Sequence, residues 1–236
     1  MLNWQEVVTL MTLGARPAEL VVGYLKNQHF ISDVTLLESI MIDWETKTAA
    51  VNTKETTEHV KENLKKKTVT SGCGQGTMYG NVMKQLENYQ VPQVTINQSD
   101  IYASLEALTY HNDTYKAAGA VHGFVKQPNL VLLGRCRRHN AVDTLAVRIW
   151  HEPWYGDNNN KLFYTTGRLT SEMVIKVAQM GIPVLLSRSG VTQMGLDLAQ
   201  KFGITIIARA KGKRFQVFAG HEKINFDVKG EAALGD

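Results

Sequence analysis

The second half of the chain alternates short apolar segments with segments of helical periodicity, and this alternation constrains the fold more than any other feature. From Gly119 onward, the apolar segments are typical of buried strands, and the segments between them repeat apolar residues at helical spacing. Such alternation predicts an α/β layered fold with a largely parallel sheet. The predicted strands are 130–133, 162–164, 183–186, 204–207 and 215–218, and the predicted helices cover about 101–115, 140–149, 171–180 and 193–202.

The N-terminal part lacks this regular alternation. Proline at the first turn predicts a short helix over residues 17–25. The alternating tract Leu36–Val51 predicts two strands with a turn near Glu45–Lys47. Residues 53–67 are charged and poor in apolar side chains, so we expect them to be mostly exposed, with part of the segment in a strand. We therefore divide the chain into an α+β part at 1–70, an α/β domain at 71–228 and a frayed tail at 229–236.

Composition excludes several classes of protein. The chain has 236 residues, of which 44% are hydrophobic and 20% charged, as in an ordinary globular protein. No apolar run is long enough to cross a membrane, and the N-terminus does not look like a signal peptide, so we expect a cytoplasmic protein. Two cysteines do not make a disulfide framework. The net charge of +4 fits an anionic ligand such as a nucleotide, and is too small to argue for nucleic acid.

Cys73 is the first candidate for chemistry. It lies in the run Ser71-Gly72-Cys73-Gly74-Gln75-Gly76, which comes shortly after Lys65-Lys66-Lys67. The glycines give backbone freedom and little side-chain cover, and the lysines favour the reactive thiolate. The alternative is a small residue in a tight turn, since most cysteines behave as small buried hydrophobic residues. The other thiol, Cys136, directly follows a predicted buried strand and is interpreted as packing.

Three loops matter because ligands on α/β sheets bind beyond the carboxyl ends of the strands. They are 134–139, 187–192 and 208–214. The first holds Arg135-Cys136-Arg137-Arg138-His139-Asn140, where a strand ends and a helix begins, and both the helix N-terminus and arginine favour phosphate. The alternative for this loop is a solvated basic corner. The third holds Arg209-Ala210-Lys211-Gly212-Lys213-Arg214, which is either an exposed basic turn or part of a shared anion site.

Other signals are weak. His122, in Ala118-Gly119-Ala120-Val121-His122, is more often a structural histidine than an acid or base. The chain has no Cys-x-x-Cys, no His-x-x-x-His and no zinc deaminase signature, so we predict no metal site. It also lacks a P-loop and a dinucleotide fingerprint.

Several segments, in order, resemble the FdhD/NarQ family of formate dehydrogenase accessory sulfurtransferases. Ser71-Gly72-Cys73-Gly74 resembles its Ser-Gly-Cys-Gly loop. Arg138-His139-Asn140-Ala141-Val142-Asp143 matches its Arg-His-Asn-Ala-Val-Asp segment. The family usually has a second cysteine where this chain has Gly76. Further similar segments are Thr9–Thr12, Glu19–Leu25, Ala118–His122, Gly167–Met173, Ser187–Thr192 and Arg209–Phe218.

The resemblance implies a three-layer α/β/α domain like cytidine deaminase, without its zinc. It also implies that Cys73 accepts sulfur as a persulfide from a cysteine desulfurase and passes it to the molybdenum cofactor, molybdopterin guanine dinucleotide, before insertion into formate dehydrogenase. The family's cofactor-contacting stretch maps onto Arg209–Arg214. The remaining cofactor-binding candidates are Arg137, Arg138, His139, Asn140, Ser187 and Ser189, and His139 or His122 is the candidate for proton movement.

Two alternatives stay open. One is a cofactor- or guanine-nucleotide-binding chaperone without sulfur transfer, which follows from the single loop thiol. The other is a deaminase-like enzyme, which would need bound metal. The sequence leaves the sulfur donor, the client enzyme and the oligomeric state open, with a homodimer as one alternative.

Overall fold

The chain forms a mixed six-stranded sheet with helices on both faces and a smaller N-terminal part packed beside it. The computed structural model describes residues 1–228 except 11, 13, 15, 66, 71–75, 80–85, 111–120, 127–128, 135–137 and 152–160. Within these ranges the helices are α1 (Pro17–Asn27), α2 (Thr57–Lys65), α3 (Gln98–Tyr110), α4 (Arg138–His151), α5 (Ser171–Gln179) and α6 (Gln193–Phe202). The predicted tail at 229–236 lies outside the described residues.

The strands confirm most of the sequence-based elements. The N-terminal strands pair as the hairpins β1–β2 and β3–β4, and the short strands β5 and β12 pair in parallel. The strands are β1 (Leu37–Asp43), β2 (Thr48–Thr53), β3 (Lys67–Thr70), β4 (Gly76–Tyr79), β5 (Ile96–Asn97), β6 (Val121–Lys126), β7 (Asn129–Gly134), β8 (Lys161–Thr165), β9 (Val184–Ser187), β10 (Thr205–Lys211), β11 (Arg214–Ala219) and β12 (Ile224–Asn225).

The prediction of a largely parallel sheet is wrong for the outer strands on both sides of the sheet. The order is β11-β10-β9-β8-β6-β7, and only the neighbours β8, β9 and β10 are parallel. The remaining pairs are antiparallel. The physical reason is connection length: β10 and β11 are joined by two residues, and β6 and β7 are also joined by two, which is too short for the crossover that parallel strands need.

Alternation of side chains along the central strands produces two apolar layers. Phe163, Leu185 and Ile206 face α4, α5 and α6. Their neighbours Leu162 and Leu186 face α3 on the opposite side, through residues such as Ile101 and Leu105. The sheet is therefore covered by helices on both faces, as the sequence predicted.

The N-terminal part packs on the outer side of α4. A third apolar cluster joins Val22 and Leu25 of α1 to Val147 of α4, with Trp150 at its margin. The sequence did not predict the helix α2 in the charged segment 53–67, where we expected part of the chain in a strand. One apolar residue per turn was too weak a signal beside so many charges. Of the side chains described there, only Thr53 and Val60 are buried, in agreement with the expectation of a mostly exposed segment. The division at residue 70 stays a prediction. In the described parts of the chain, none of the helices has the length and apolar character needed to cross a membrane.

Candidate functional site

The basic segment Arg209–Arg214 lies at the carboxyl end of β10 and the start of β11. Only Gly212 and Lys213 form the turn; the residues before them belong to β10, although the sequence placed them in a loop. A β-bulge interrupts the β10–β11 pairing between Ala208 and Lys211, and Arg209 has a left-handed backbone (φ 53°). Ala210 is buried while the four cationic residues are exposed. The bulge therefore anchors the segment through Ala210 and leaves its charges in solvent.

Three of these cations line an open pocket of about 490 Å³, which is within the usual size range of small-molecule sites. Part of the lining is aromatic: the rings of Tyr102 and Phe215 lie 5.8 Å apart at 59°. Gln98 Nε2 donates to the Tyr102 hydroxyl (2.7 Å) and holds that ring in place. The pocket therefore combines positive charge with flat apolar surface. Its lining residues are Gln98, Tyr102, Arg209, Lys213, Arg214, Phe215, Gln216 and Phe226.

The sequence did not single out the residues that line the rest of the pocket. Gln98 and Tyr102 come from α3, and Phe226 follows β12. No local pattern marks these residues, because only the packing of α3 on the sheet brings them to the basic turn. Phe215 and Gln216 directly follow Arg214, and alternation along β11 is the only sequence signal they carry.

Ser187 joins the loops that follow the three parallel strands. Its buried hydroxyl donates to the Gly167 carbonyl (2.8 Å) after β8 and accepts from the Ser189 amide (2.9 Å). The Arg209 amide then donates to the Ser189 carbonyl (2.8 Å). The predicted residues Ser187, Ser189 and Arg209 are thus brought together at one edge of the sheet. The Ser187 hydroxyl orders this edge, and the direct ligand contact predicted for it stays a prediction.

The basic corner at Arg138 lies on the same edge but far along it. As the sequence predicted, a helix begins here, since α4 starts at Arg138. Because β6 is antiparallel to both β7 and β8, the carboxyl end of β7 lies at the same edge as that of β8. Four strand spacings of about 4.8 Å separate β7 from β10, so the carboxyl ends of these two strands are about 19 Å apart. A ligand that contacts both must be as long as a dinucleotide.

Other predicted residues near this corner are only partly described. Asn140 is half-buried in the first turn of α4, and its carbonyl accepts from the Thr144 hydroxyl (2.8 Å). His122 is the second residue of β6 and pairs with Thr165 at the end of β8, so its backbone lies at this same edge of the sheet. The side chains of Arg138, His139 and His122 lie outside the described residues, as do Arg137 and Cys136.

Cys73 also lies outside the described residues. The backbone on either side of it forms the antiparallel hairpin β3–β4, with Thr70 opposite Gly76. The five residues 71–75 connect these two strands, and Gly76 begins β4. The role predicted for Cys73 stays a prediction.

A buried charge cluster lies between α4 and α5, and the sequence analysis missed it. Lys176 Nζ is 2.8 Å from Asp143 Oδ2 and 3.3 Å from Glu172 Oε1, with all three side chains at most 7% exposed. Burial disfavours the ammonium, but the two carboxylates outweigh burial and raise the pKa of Lys176 above its ordinary value. The signal that could have revealed it is the (i, i+4) pair Glu172 and Lys176 within an otherwise apolar helix.

A metal centre has no candidate in the described part of the chain. No group of three or more histidine, cysteine, aspartate or glutamate side chains is arranged there to hold a metal ion. The expected absence of a catalytic metal stays a prediction.

Comparisons with known proteins agree with one another. The model of the FdhD/NarQ family matches residues 1–225. A sulfur carrier protein FdhD from Geobacillus kaustophilus is 30% identical over 94% of this chain and 85% of its own length. A sulfur carrier protein FdhD from Wolinella succinogenes is 24% identical over 95% of this chain and 79% of its own length. A crystal structure of a Desulfotalea psychrophila protein, designated a formate dehydrogenase accessory protein, superimposes with a TM-score of 0.72 and 25% identity, covering 95% of this chain and 86% of that one.

Proposed function

The chain belongs to the FdhD/NarQ family, and we propose from this that it is a sulfur carrier in the maturation of formate dehydrogenase. Cys73 would accept sulfur from a cysteine desulfurase and pass it to molybdopterin guanine dinucleotide, acting as a sulfurtransferase in the cytoplasm. The observation that carries this proposal is the match over residues 1–225 to a family whose named relatives are sulfur carriers.

The first step is a persulfide exchange at Cys73. The thiolate attacks the terminal sulfur of the donor persulfide, a new S–S bond forms on Cys73, and the donor cysteine leaves as a thiolate. One sulfur–sulfur bond replaces another, so this step has no net oxidation. The neighbouring Lys65, Lys66 and Lys67 support it, because positive charge favours the thiolate at neutral pH.

Delivery to the cofactor needs an external thiol. Release of the sulfane sulfur as sulfide takes two electrons and returns Cys73 to the thiolate. The loop has Gly76 where a second cysteine would otherwise stand, so a resolving thiol is not available at that position. We propose that a thiol reductant in solution supplies both electrons and is itself oxidised to a disulfide.

The cofactor is proposed to lie along the edge of the sheet. Arg209, Lys213 and Arg214 would hold phosphate, and the Tyr102 and Phe215 rings offer a surface for a planar heterocycle. The spacing of about 19 Å from β10 to β7 suits a dinucleotide that also reaches Arg137, Arg138, His139 and Asn140. Ser189 lies between them beside Arg209. The finer likeness to cytidine deaminase and a homodimeric state belong to this proposal too.

A second candidate is a guanine-nucleotide- or cofactor-binding chaperone without sulfur transfer. Two observations favour it: the loop has one thiol, and the described lining of the pocket combines cationic and aromatic side chains that suit a nucleotide. Both candidates predict nucleotide binding, and only the sulfur carrier predicts a persulfide.

The deciding experiment is intact-protein mass spectrometry after incubation with a cysteine desulfurase and free cysteine. The wild-type protein should gain the mass of one sulfur atom, which a thiol reductant then removes. Cys136→Ala is the matched control and should gain the same mass, because it is the other cysteine of the chain. Cys73→Ala should gain nothing. A gain that persists in Cys73→Ala overturns the proposed role of Cys73, and no gain in the wild type favours the chaperone.

A further inference from the structure

One buried carboxylate joins three helices next to the candidate site. Asp143 Oδ1 accepts from Asn27 Nδ2 of α1 (2.7 Å), and Asp143 Oδ2 accepts from Lys176 Nζ of α5 (2.8 Å). The backbones of α1 and α4 also lie in close contact here: a Cβ added to Gly23 of α1 would lie 1.8 Å from the Asp143 carbonyl oxygen. The second turn of α4 is therefore held from two sides.

Lys176 is surrounded by groups that attract a cation. Besides Asp143 it contacts Glu172 (3.3 Å), and its ammonium lies 6.0 Å from the centre of the Tyr24 ring. Glu172 is in the first turn of α5, where the helix dipole favours negative charge. Buried ion pairs add little net stability, because the loss of hydration offsets the attraction, and apolar replacements are often neutral or stabilising. What such a pair does supply is a defined geometry.

The ion pair fixes the relative position of two segments beside the candidate ligand-binding site. Asp143 is five residues after Arg138, where α4 begins. Glu172 is in the first turn of α5, which directly follows the loop Gly167–Thr170. This loop is tied to the loop after β9 by Ser187 Oγ and by the Leu169 amide, which donates to the Gly190 carbonyl (2.9 Å). Lys176 thus links the start of α4 to the edge that carries Ser189 and Arg209.

We propose that Lys176, held between Asp143 and Glu172, is a positioning residue that sets the first turn of α4 against the loops after β8 and β9, so that both segments contact one anionic ligand. The inference rests on the function proposed above, in which the start of α4 and Ser189, in the loop after β9, lie along the bound cofactor. A displacement of about 1 Å between binding segments is enough to weaken binding strongly.

The test uses calorimetry on a variant that removes both charges of the central pair, Asp143→Leu/Lys176→Met. Two ligands are compared: diguanosine diphosphate, a dinucleotide that can contact both segments, and guanosine diphosphate (GDP), which is shorter. The variant should fold with a lowered thermal midpoint, because Glu172 is left without Lys176. We expect its Kd for diguanosine diphosphate to rise on the order of tenfold and its Kd for GDP to stay close to the wild-type value. Lys223→Met is the matched control, because Lys223 Nζ bonds the Gly203 carbonyl (2.8 Å) outside the cluster. It should keep the wild-type Kd for both ligands.

The outcomes separate this inference from the proposed function. A folded double variant with the wild-type Kd for diguanosine diphosphate overturns the positioning role and leaves the anion site intact. Absence of GDP binding in the wild type contradicts the anion site itself, and the positioning role falls with it. If the double variant does not fold, Glu172→Gln decides in its place, since it keeps the Asp143–Lys176 pair: a raised Kd for diguanosine diphosphate at an unchanged midpoint supports the inference, and an unchanged Kd overturns it.

Discussion

The Lys176 ammonium lies 2.8 Å from Asp143 Oδ2 in the interior, so α4 and α5 are joined by an ion pair that is at most 2% exposed. Three segments that resemble the family meet at this point: Gly23 from the opening segment, Asp143 from the Arg-His-Asn-Ala-Val-Asp segment and Glu172 from Gly167–Met173. These segments therefore share a structural junction as well as a candidate binding edge.

Removing one partner of the pair should destabilise the protein more than removing both. Lys176→Met leaves the Asp143 carboxylate buried without its cation, and we expect a loss of about 3–5 kcal/mol in the free energy of unfolding. Asp143→Leu/Lys176→Met should lose less, because only the Glu172 carboxylate is then left without Lys176. Urea denaturation followed by circular dichroism measures both values. Equal losses in the two variants would contradict this account of the pair.

Gly23 should not tolerate even one added methyl group. In Gly23→Ala the new Cβ would meet the Asp143 carbonyl oxygen at 1.8 Å, so α1 must move away from α4. We expect a loss of about 3 kcal/mol, at the upper end of the usual cost of overpacking. Gly190→Ala is the control, since nothing lies within 4 Å of its added Cβ. The thermal midpoints of the two variants should differ clearly, and similar midpoints would argue against the close helix contact.

Stability should fall on mild acidification because of His29. Burial, together with the charges of His59 and Lys26, lowers the pKa of His29 below its ordinary value. The unfolded chain then binds more protons than the folded one near and below pH 6.5, so the stability that neutral His29 contributes is present above about pH 6.5 and is lost as the pH falls through the folded-state pKa. In the native state Gln179 Nε2 donates to His29 Nε2 (2.8 Å), a bond that the protonated ring cannot accept.

The measurement is the free energy of unfolding at pH 7.5 and pH 5.0 for the wild type and for His29→Asn. Asparagine suits the left-handed backbone at this position (φ 58°) and does not titrate in this range. The variant should show a smaller decrease than the wild type on acidification. If both lose the same amount, His29 is not the source of the effect.

The aromatic part of the pocket lining should matter for a nucleotide but not for its phosphates alone. Tyr102→Ala removes one ring of the Tyr102–Phe215 pair, and loss of a stacking surface typically costs about 1–3 kcal/mol per base. We expect the Kd for GDP to rise at least about fivefold and the Kd for inorganic pyrophosphate to stay the same. Met194→Ala is the control, as an exposed apolar residue outside the pocket lining. An equal change for both ligands would assign Tyr102 a merely structural role.

The sequence predicted local features well because their signals are local. Pro17 and the alternating tract Leu36–Val51 marked α1 and the β1–β2 hairpin, and α6 has the predicted bounds Gln193–Phe202. The sequence-based prediction failed at α2, where charged side chains masked one apolar face. It also failed for the outer strands of the sheet, where connection length decided strand direction.

For the candidate site, the sequence by itself determined which segments carry charge, a glycine-flanked thiol and a family resemblance, since composition and short motifs need no spatial information. Only the tertiary structure decided which of them meet. Ser187, Ser189 and Arg209 come together, whereas β7, the strand that leads to Arg138, lies about 19 Å from β10. Lys176 and Asp143 are 33 residues apart in the chain, and Tyr102 lies more than a hundred residues from Arg209. Contacts of such separation depend on how helices pack on the sheet, which no single segment specifies.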